Sequence, residues 1–278
     1  MANVSIDRCT AAVTSLSCRL KAQELAIATG FFWAHGEGVH LLTNWHVVTG
    51  RHPLTGKHLS DHAGEPDRLL IDVFEGRDLN RRRTVELPIL AADGAPLWRE
   101  HSYWRSAVDV VSIPLGDWGG SVFALNETPT HKALRQVGTD VFVLGFPRGI
   151  GPDRHAIWKR ASIASEPDVD VDGLPLRLID TATAAGMSGA PAIQRFRGQA
   201  TGEEGGIIMG IDGFRLLGVY SGRLAGQNEA DVALGRVWKE PLVDEIIANG
   251  TDGSREPRGP MPPPYEFVDF KSLPKGVL

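Results

Sequence analysis

The string GMSGAP at residues 186–191 places Ser188 between Gly186 and Gly189 and closes on Pro191. A hydroxyl held in so tight a bend is a candidate nucleophile, provided that a neighbouring group can take its proton. All nine histidines of the chain, from His35 to His155, precede Ser188. A nucleophile–acid–base order is thereby excluded, and Ala190 stands where a G-x-S-x-G elbow needs its second glycine. An acid–base–nucleophile order also fails, because the only aspartate ahead of the early histidines is Asp7, in a polar N-terminal stretch. What remains is base, then acid, then nucleophile.

His46 is the best candidate base. It follows the apolar run VHLLTNW (39–45) and precedes a turn, a context that puts an imidazole at a strand end facing a cleft. Asp109, in SAVDVVSIPL (106–115), opens a buried-looking strand, where an ionised carboxylate costs several kcal/mol (roughly) unless it is paired. An imidazole N–H is a suitable partner. Taken singly, His46 could serve packing alone, Asp109 could cap a turn and Ser188 could be a polar residue in a bend. Their conjunction is what points to nucleophilic chemistry.

The elements that must position these residues read as β. Eleven short runs rich in Val, Ile, Leu and Phe, bounded by Gly and Pro, lie at 25–33, 39–45, 68–76, 85–90, 108–115, 140–147, 157–165, 176–183, 190–196, 206–211 and 216–222. Almost no helical period separates them, so an all-β sandwich or barrel pair is expected. One helix is expected at 239–250, with Leu242, Ile246 and Ile247 on one face, Pro241 near its start and Gly250 at its end. RDLNRRR (77–83) reads as a solvated loop. The segment 251–278 is proline-rich. It is expected either to drape on the body, with YEFVDF (265–270) as an edge strand, or to dock a regulatory protein partner.

Bulk properties narrow the class. A net charge of −5 and a pI near 6.0 argue against a nucleic-acid binder. No run approaches the ~20 apolar residues of a membrane helix, and no secretory signal is visible. Cys9 and Cys18 are the only cysteines, too few for a disulfide framework, so a cytoplasmic setting is expected. No metal or cofactor is implied.

TNWHVV, VDVVSIPL, VFVLGFPRG and GMSGAPAI, in this order, resemble the trypsin-like peptidases of the chymotrypsin fold. They are most like bacterial members akin to the high-temperature-requirement proteases, here without a PDZ domain. The resemblance covers roughly residues 20–248 and is weak in the loops of 51–107. It implies two six-stranded antiparallel β-barrels, at about 8–118 and 119–250 with the C-terminal helix on the second, and the tail 251–278 beyond. It implies a serine endopeptidase acting on a polypeptide, with His46 as general base, Asp109 as its partner and Ser188 as nucleophile. The oxyanion hole would be the N–H groups of Gly186 and Ser188. Ser221, Gly222 and Arg223 would pair with an extended substrate. Ala182 would floor the primary pocket with Thr183 beside it. No acid stands at either place, which disfavours Lys or Arg and favours a small or medium apolar residue. Arg223 would either narrow that pocket or point to solvent. Met187 replaces the aspartate by which digestive relatives sense a new N-terminus, and Val47 replaces a half-cystine of secreted ones. The alternative is a peptide-binding module on the same fold with little turnover. An esterase is a further variant.

Overall fold

A computed structural model describes residues 6–60, 62–75, 78–116, 121–224 and 233–260. The chain opens with a short helix α1 (Arg8–Ala11) and continues into β1 (Val13–Leu20), β2 (Gln23–His35) and β3 (Gly38–Thr43). A second short helix, α2 (Trp45–Thr49), precedes β4 (Arg68–Glu75), β5 (Asp78–Pro88), β6 (Arg99–Glu100) and β7 (Val111–Pro114). The second half holds β8 (Asp140–Gly145), β9 (Ile157–Ile163), β10 (Leu176–Asp180), β11 (Pro191–Thr201), β12 (Ile207–Arg223) and β13 (Leu234–Lys239). Helix α3 (Pro241–Asn249) and β14 (Thr251–Asp252) follow.

These strands form two antiparallel sheets. The second closes on itself as a six-stranded barrel in the order β10-β13-β12-β11-β8-β9. The first runs β14-β6-β7-β3-β2-β1-β4-β5. It has eight strands rather than six, because the two-residue strands β6 and β14 add to the edge beside β7. The all-β architecture expected from the short apolar runs is therefore present. No helix among the described residues is long and apolar enough to cross a membrane.

Three of the differences from the sequence reading have clear causes. RDLNRRR is mostly strand: β5 pairs with β4 from Arg68↔Pro88 to Glu75↔Asp78 and forms the outer edge of its sheet. Charges on an edge strand oppose further pairing with another chain. The runs 206–211 and 216–222 are one long strand, β12, which follows β11 through register shifts at Ala192/Ile193 and Gly198/Gln199. The residues after VHLLTN form α2 rather than the end of a strand. Gly50 stops that helix in a left-handed conformation (φ 69°), its N–H bonded to the His46 carbonyl.

The core has three main parts. Leu16, Phe32, Leu41, Trp45, Leu69 and Trp98 pack inside the first sheet. Val141, Val143, Ile179, Met187, Leu217 and Tyr220 fill the barrel. Between the two lies a third cluster, including Val13, Phe31, Leu42, Leu144, Phe146 and Trp238. Helix α3 joins it through Leu242, Val243, Ile246 and Ile247, the face anticipated from the sequence with Val243 added. At about 1.5–3 kcal/mol for each large apolar side chain removed from water, this shared layer holds the sheets at a fixed separation.

The segment after α3 turns back onto the first sheet. β14 pairs with β6, the Trp45 Nε1–H donates to the Ser254 carbonyl (3.0 Å), and Ser106 Oγ donates to the Arg258 carbonyl (3.0 Å). Residues 251–260 thus lie draped on the body; YEFVDF lies outside the described residues. Glu100 anchors the strap. It is fully buried, accepts the Ser254 N–H and lies 3.3 Å from Arg105 Nε. Burial pushes its carboxyl pKa above the usual range. Glu100→Ala should leave the Ser254 N–H unpaired and cost about 2–3 kcal/mol. Urea denaturation followed by tryptophan fluorescence checks this; an unchanged midpoint would mean that Glu100 does not anchor the strap.

Candidate active site

His46 sits in the first turn of α2, whose leading N–H groups have no partner inside the helix. One Asp109 oxygen supplies a partner, accepting the His46 backbone N–H at 2.9 Å, while the other accepts the ring Nδ1 at 2.6 Å. The carboxylate therefore caps the short helix and orients the imidazole at once. Asp109 is 3 % exposed and lies just before β7. Its carbonyl accepts the Asn44 side-chain amide at 2.6 Å, which ties the residue two before His46 to the same point. With Nδ1 carrying the proton that Asp109 accepts, Nε2 is the basic nitrogen.

His52 is close enough to interact electrostatically with both groups. Burial and then the Arg236 guanidinium hold its pKa below the usual imidazole range, against the opposing pull of Asp109. Its Nδ1 accepts the Leu54 and Thr55 N–H groups at 3.2 and 3.3 Å, which also favours the neutral ring.

The loop carrying Ser188 joins β10 to β11, and its backbone groups can be accounted for one by one. Arg148 N–H donates to the Ala185 carbonyl at 2.6 Å. Thr29 Oγ1 donates to the Gly186 carbonyl at 2.7 Å and itself accepts the Phe146 N–H at 3.1 Å. Thr29 N–H donates to the Ser188 carbonyl at 2.8 Å. From the barrel side, Gly189 N–H donates to the Tyr220 carbonyl and Tyr220 N–H to the Ala190 carbonyl, both at 2.8 Å. Met187, fully buried, anchors the loop in the barrel core. The Gly186 and Ser188 N–H groups are left with no acceptor among the described residues. They are two donors at one turn, next to the hydroxyl.

Gly186 has φ 95°, and a β-carbon there would collide with the Phe146 carbonyl oxygen. His46 and Ser188 both line a single cavity of about 150 Å³. An imidazole oriented by a carboxylate, a hydroxyl sharing its cavity and two free N–H donors beside that hydroxyl suit acid–base-assisted nucleophilic attack on a carbonyl. Among the described residues no group of three or more His, Cys, Asp or Glu side chains is placed to hold a metal.

The remaining sequence candidates are distributed unevenly. Ser221, Gly222 and Arg223 end β12. Ser221 is buried and its Oγ accepts the Trp238 Nε1–H at 3.0 Å, whereas Arg223 is exposed. Ala182, expected at a pocket floor, is exposed. Thr183 points inward, and its hydroxyl bonds to that of Tyr220, which is buried in the barrel. Thr29, Asn44 and Tyr220 were not anticipated. The signal for Thr29 was a lone hydroxyl in the apolar run LAIATGFFW, since a buried polar group must find partners.

Gly186→Ala should destabilise the fold by more than Gly94→Ala. Gly94 has a similar φ of 84° but faces open space. The control isolates the strain of the left-handed conformation, roughly 1–2 kcal/mol, from the additional collision with Phe146. Equal urea midpoints for the two variants would show that the turn at Gly186 is not tightly seated.

The sequence matches the trypsin-like peptidase domain over residues 28–202. No curated protein matches the chain. Among solved structures, the active form of the Rv3671c protease from M. tuberculosis is 20 % identical, covers 89 % of this chain and 86 % of its own, and superposes with a TM-score of 0.47. A serine endoprotease from Yersinia pestis is 13 % identical, with 89 % and 66 % covered and a TM-score of 0.49. An HtrA-type protease, AlgWS227A with a tripeptide, is 16 % identical, with 86 % and 60 % covered and a TM-score of 0.47. With well over half of its length inside the domain match, this chain belongs to the trypsin-like peptidases and is a serine endopeptidase, a hydrolase of peptide bonds.

Proposed function

We propose that His46, Asp109 and Ser188 are the catalytic triad and that Gly186 and Ser188 supply the oxyanion hole. The observation that carries this reading is the double hydrogen bond from His46 to buried Asp109, on an imidazole that shares a cavity with Ser188. Ser188 Oγ attacks the peptide carbonyl while His46 Nε2 takes its proton. The tetrahedral oxyanion is received by the Gly186 and Ser188 N–H groups, worth roughly 3–4 kcal/mol per donor in the transition state. His46 then protonates the leaving amine, and water deacylates the enzyme by the same route. Asp109 stabilises the imidazolium formed in each half-reaction.

The substrate's acyl side is expected to run as an added strand beside residues 221–223. A small apolar residue precedes the scissile bond. The space near Thr183 already holds the Tyr220 ring, locked by its hydroxyl bond, and neither position 182 nor 183 carries an acid to receive Lys or Arg. Met187 in the barrel core makes activation by an inserted N-terminus inapplicable. A cytoplasmic setting is supported by Cys9 and Cys18. Both are free and buried, and desolvation pushes both thiols up to about 12, where they stay protonated and unreactive. Control by a protein partner is assigned to the segment 251–278, in which the Ser254 carbonyl accepts the Nε1–H of Trp45 on the helix that carries His46.

Two readouts test the triad together. A fluorophosphonate probe should label the wild type at Ser188. Ser188→Ala should lose labelling, and peptide hydrolysis should fall by about 10⁶-fold. Retained hydrolysis in the variant would remove Ser188 from the mechanism.

A further inference from the structure

The cavity shared by His46 and Ser188 is not on the side where the acyl half of a substrate is expected. Apart from Ser188, every described residue lining it belongs to the first sheet or its loops: Cys18 of β1, residues 25–28 of β2, His46, Val47 and Gly50 in and after α2, and Leu59, Ser60, Gly64 and Pro66 beyond it. None of Thr183, Ser221, Gly222 or Arg223 borders it. A peptide whose acyl half follows β12 across the barrel must carry its other half over the first sheet. The cavity lies there, with the imidazole that protonates the leaving amine as one wall.

Its chemistry is specific. Leu25, Ile27, Val47, Leu59 and Pro66 face it, and among the described residues that line it His46 is the only titratable side chain besides the Cys18 thiol. Leu59, one of these walls, is 54 % exposed and so reaches both the cavity and solvent. A volume of about 150 Å³ is the size that accommodates a benzene-sized hydrocarbon. Near Thr183, on the acyl side, Tyr220 is 1 % exposed and a β-carbon on Gly235 would press on its ring.

We propose that this peptidase selects its cleavage sites chiefly on the leaving-group side, by seating a medium-sized apolar side chain of the residue after the scissile bond in the cavity beside His46. The proposal rests on the triad reading above. Leu, Ile, Met and Phe fit the cavity, and charged residues would lose their hydration without a partner.

Acyl transfer reads this preference directly. An N-acetyl-alanine p-nitrophenyl ester acylates Ser188 and releases nitrophenolate. An amino-acid amide then competes with water: its nitrogen attacks the acyl carbonyl, its proton passes to His46 Nε2, and Ser188 Oγ leaves with that proton. Leucinamide and phenylalaninamide should raise the ratio of aminolysis to hydrolysis about tenfold or more above glycinamide and aspartamide. Ile27→Trp, which fills the cavity, should bring the leucinamide ratio down to that of glycinamide. Should that variant not fold, the wild-type ratios alone decide. Nitrophenolate release with equal ratios for all four amides would overturn the leaving-group preference and leave the triad intact. Absence of any Ser188 acylation would overturn the triad reading itself.

Discussion

The hydrogen bond from the Thr29 N–H to the Ser188 carbonyl joins the two halves of the candidate site. Ser188 belongs to the barrel and His46 to the first sheet, so neither sheet alone can bring them to one cavity. Thr29 makes the link with three polar atoms. Its N–H holds Ser188, its hydroxyl donates to Gly186 and accepts from Phe146, and its carbonyl accepts the Thr43 hydroxyl at 2.9 Å. All of these groups are buried, so none can trade its partner for water without loss. The apolar layer around Phe31, Leu42, Leu144 and Phe146 supplies the free energy of docking; the Thr29 bonds supply the register.

The electrostatics follow from the same packing. Burying Asp109 would be unfavourable were its oxygens not taken by His46. The arrangement stabilises helix α2 and selects the imidazole tautomer in one stroke. Burial and the Arg236 guanidinium lower the pKa of the neighbouring His52. On the barrel side, the fully buried Met187 ties the Ser188 loop to the barrel core.

Much of this was legible in the sequence because the chemistry constrains residue order. Histidines only upstream of Ser188, together with an aspartate in an apolar strand, left one arrangement open. The α3 face and most strands followed from periodicity. Other features were hidden for physical reasons. In TNWHVVT the β-branched valines favour a strand, and only a tertiary contact, the Asp109 cap, together with Gly50, makes it helical. β13 (LGRVWK) carries Arg236 and Gly235 in a closed barrel, where a lone sequence shows neither a clean alternation nor an apolar run. β14 is two residues long and exists only because β6 offers an edge. The exposure of Ala182 and the filling of the adjoining space by Tyr220 depend on a side chain thirty-odd residues away, which spacing to Ser188 alone does not encode.

In the proposed mechanism a hydroxyl from the barrel and an imidazole from the first sheet act on one carbonyl. A crystal structure of the enzyme treated with a peptidyl boronic acid ending in a small apolar residue tests it most directly. The expected adduct has boron bonded to Ser188 Oγ, one boronate oxygen within hydrogen-bonding distance of both the Gly186 and Ser188 N–H groups, and His46 Nε2 facing it with Asp109 still on Nδ1. Boron on another residue, or an adduct at Ser188 with His46 turned away from it, would contradict it.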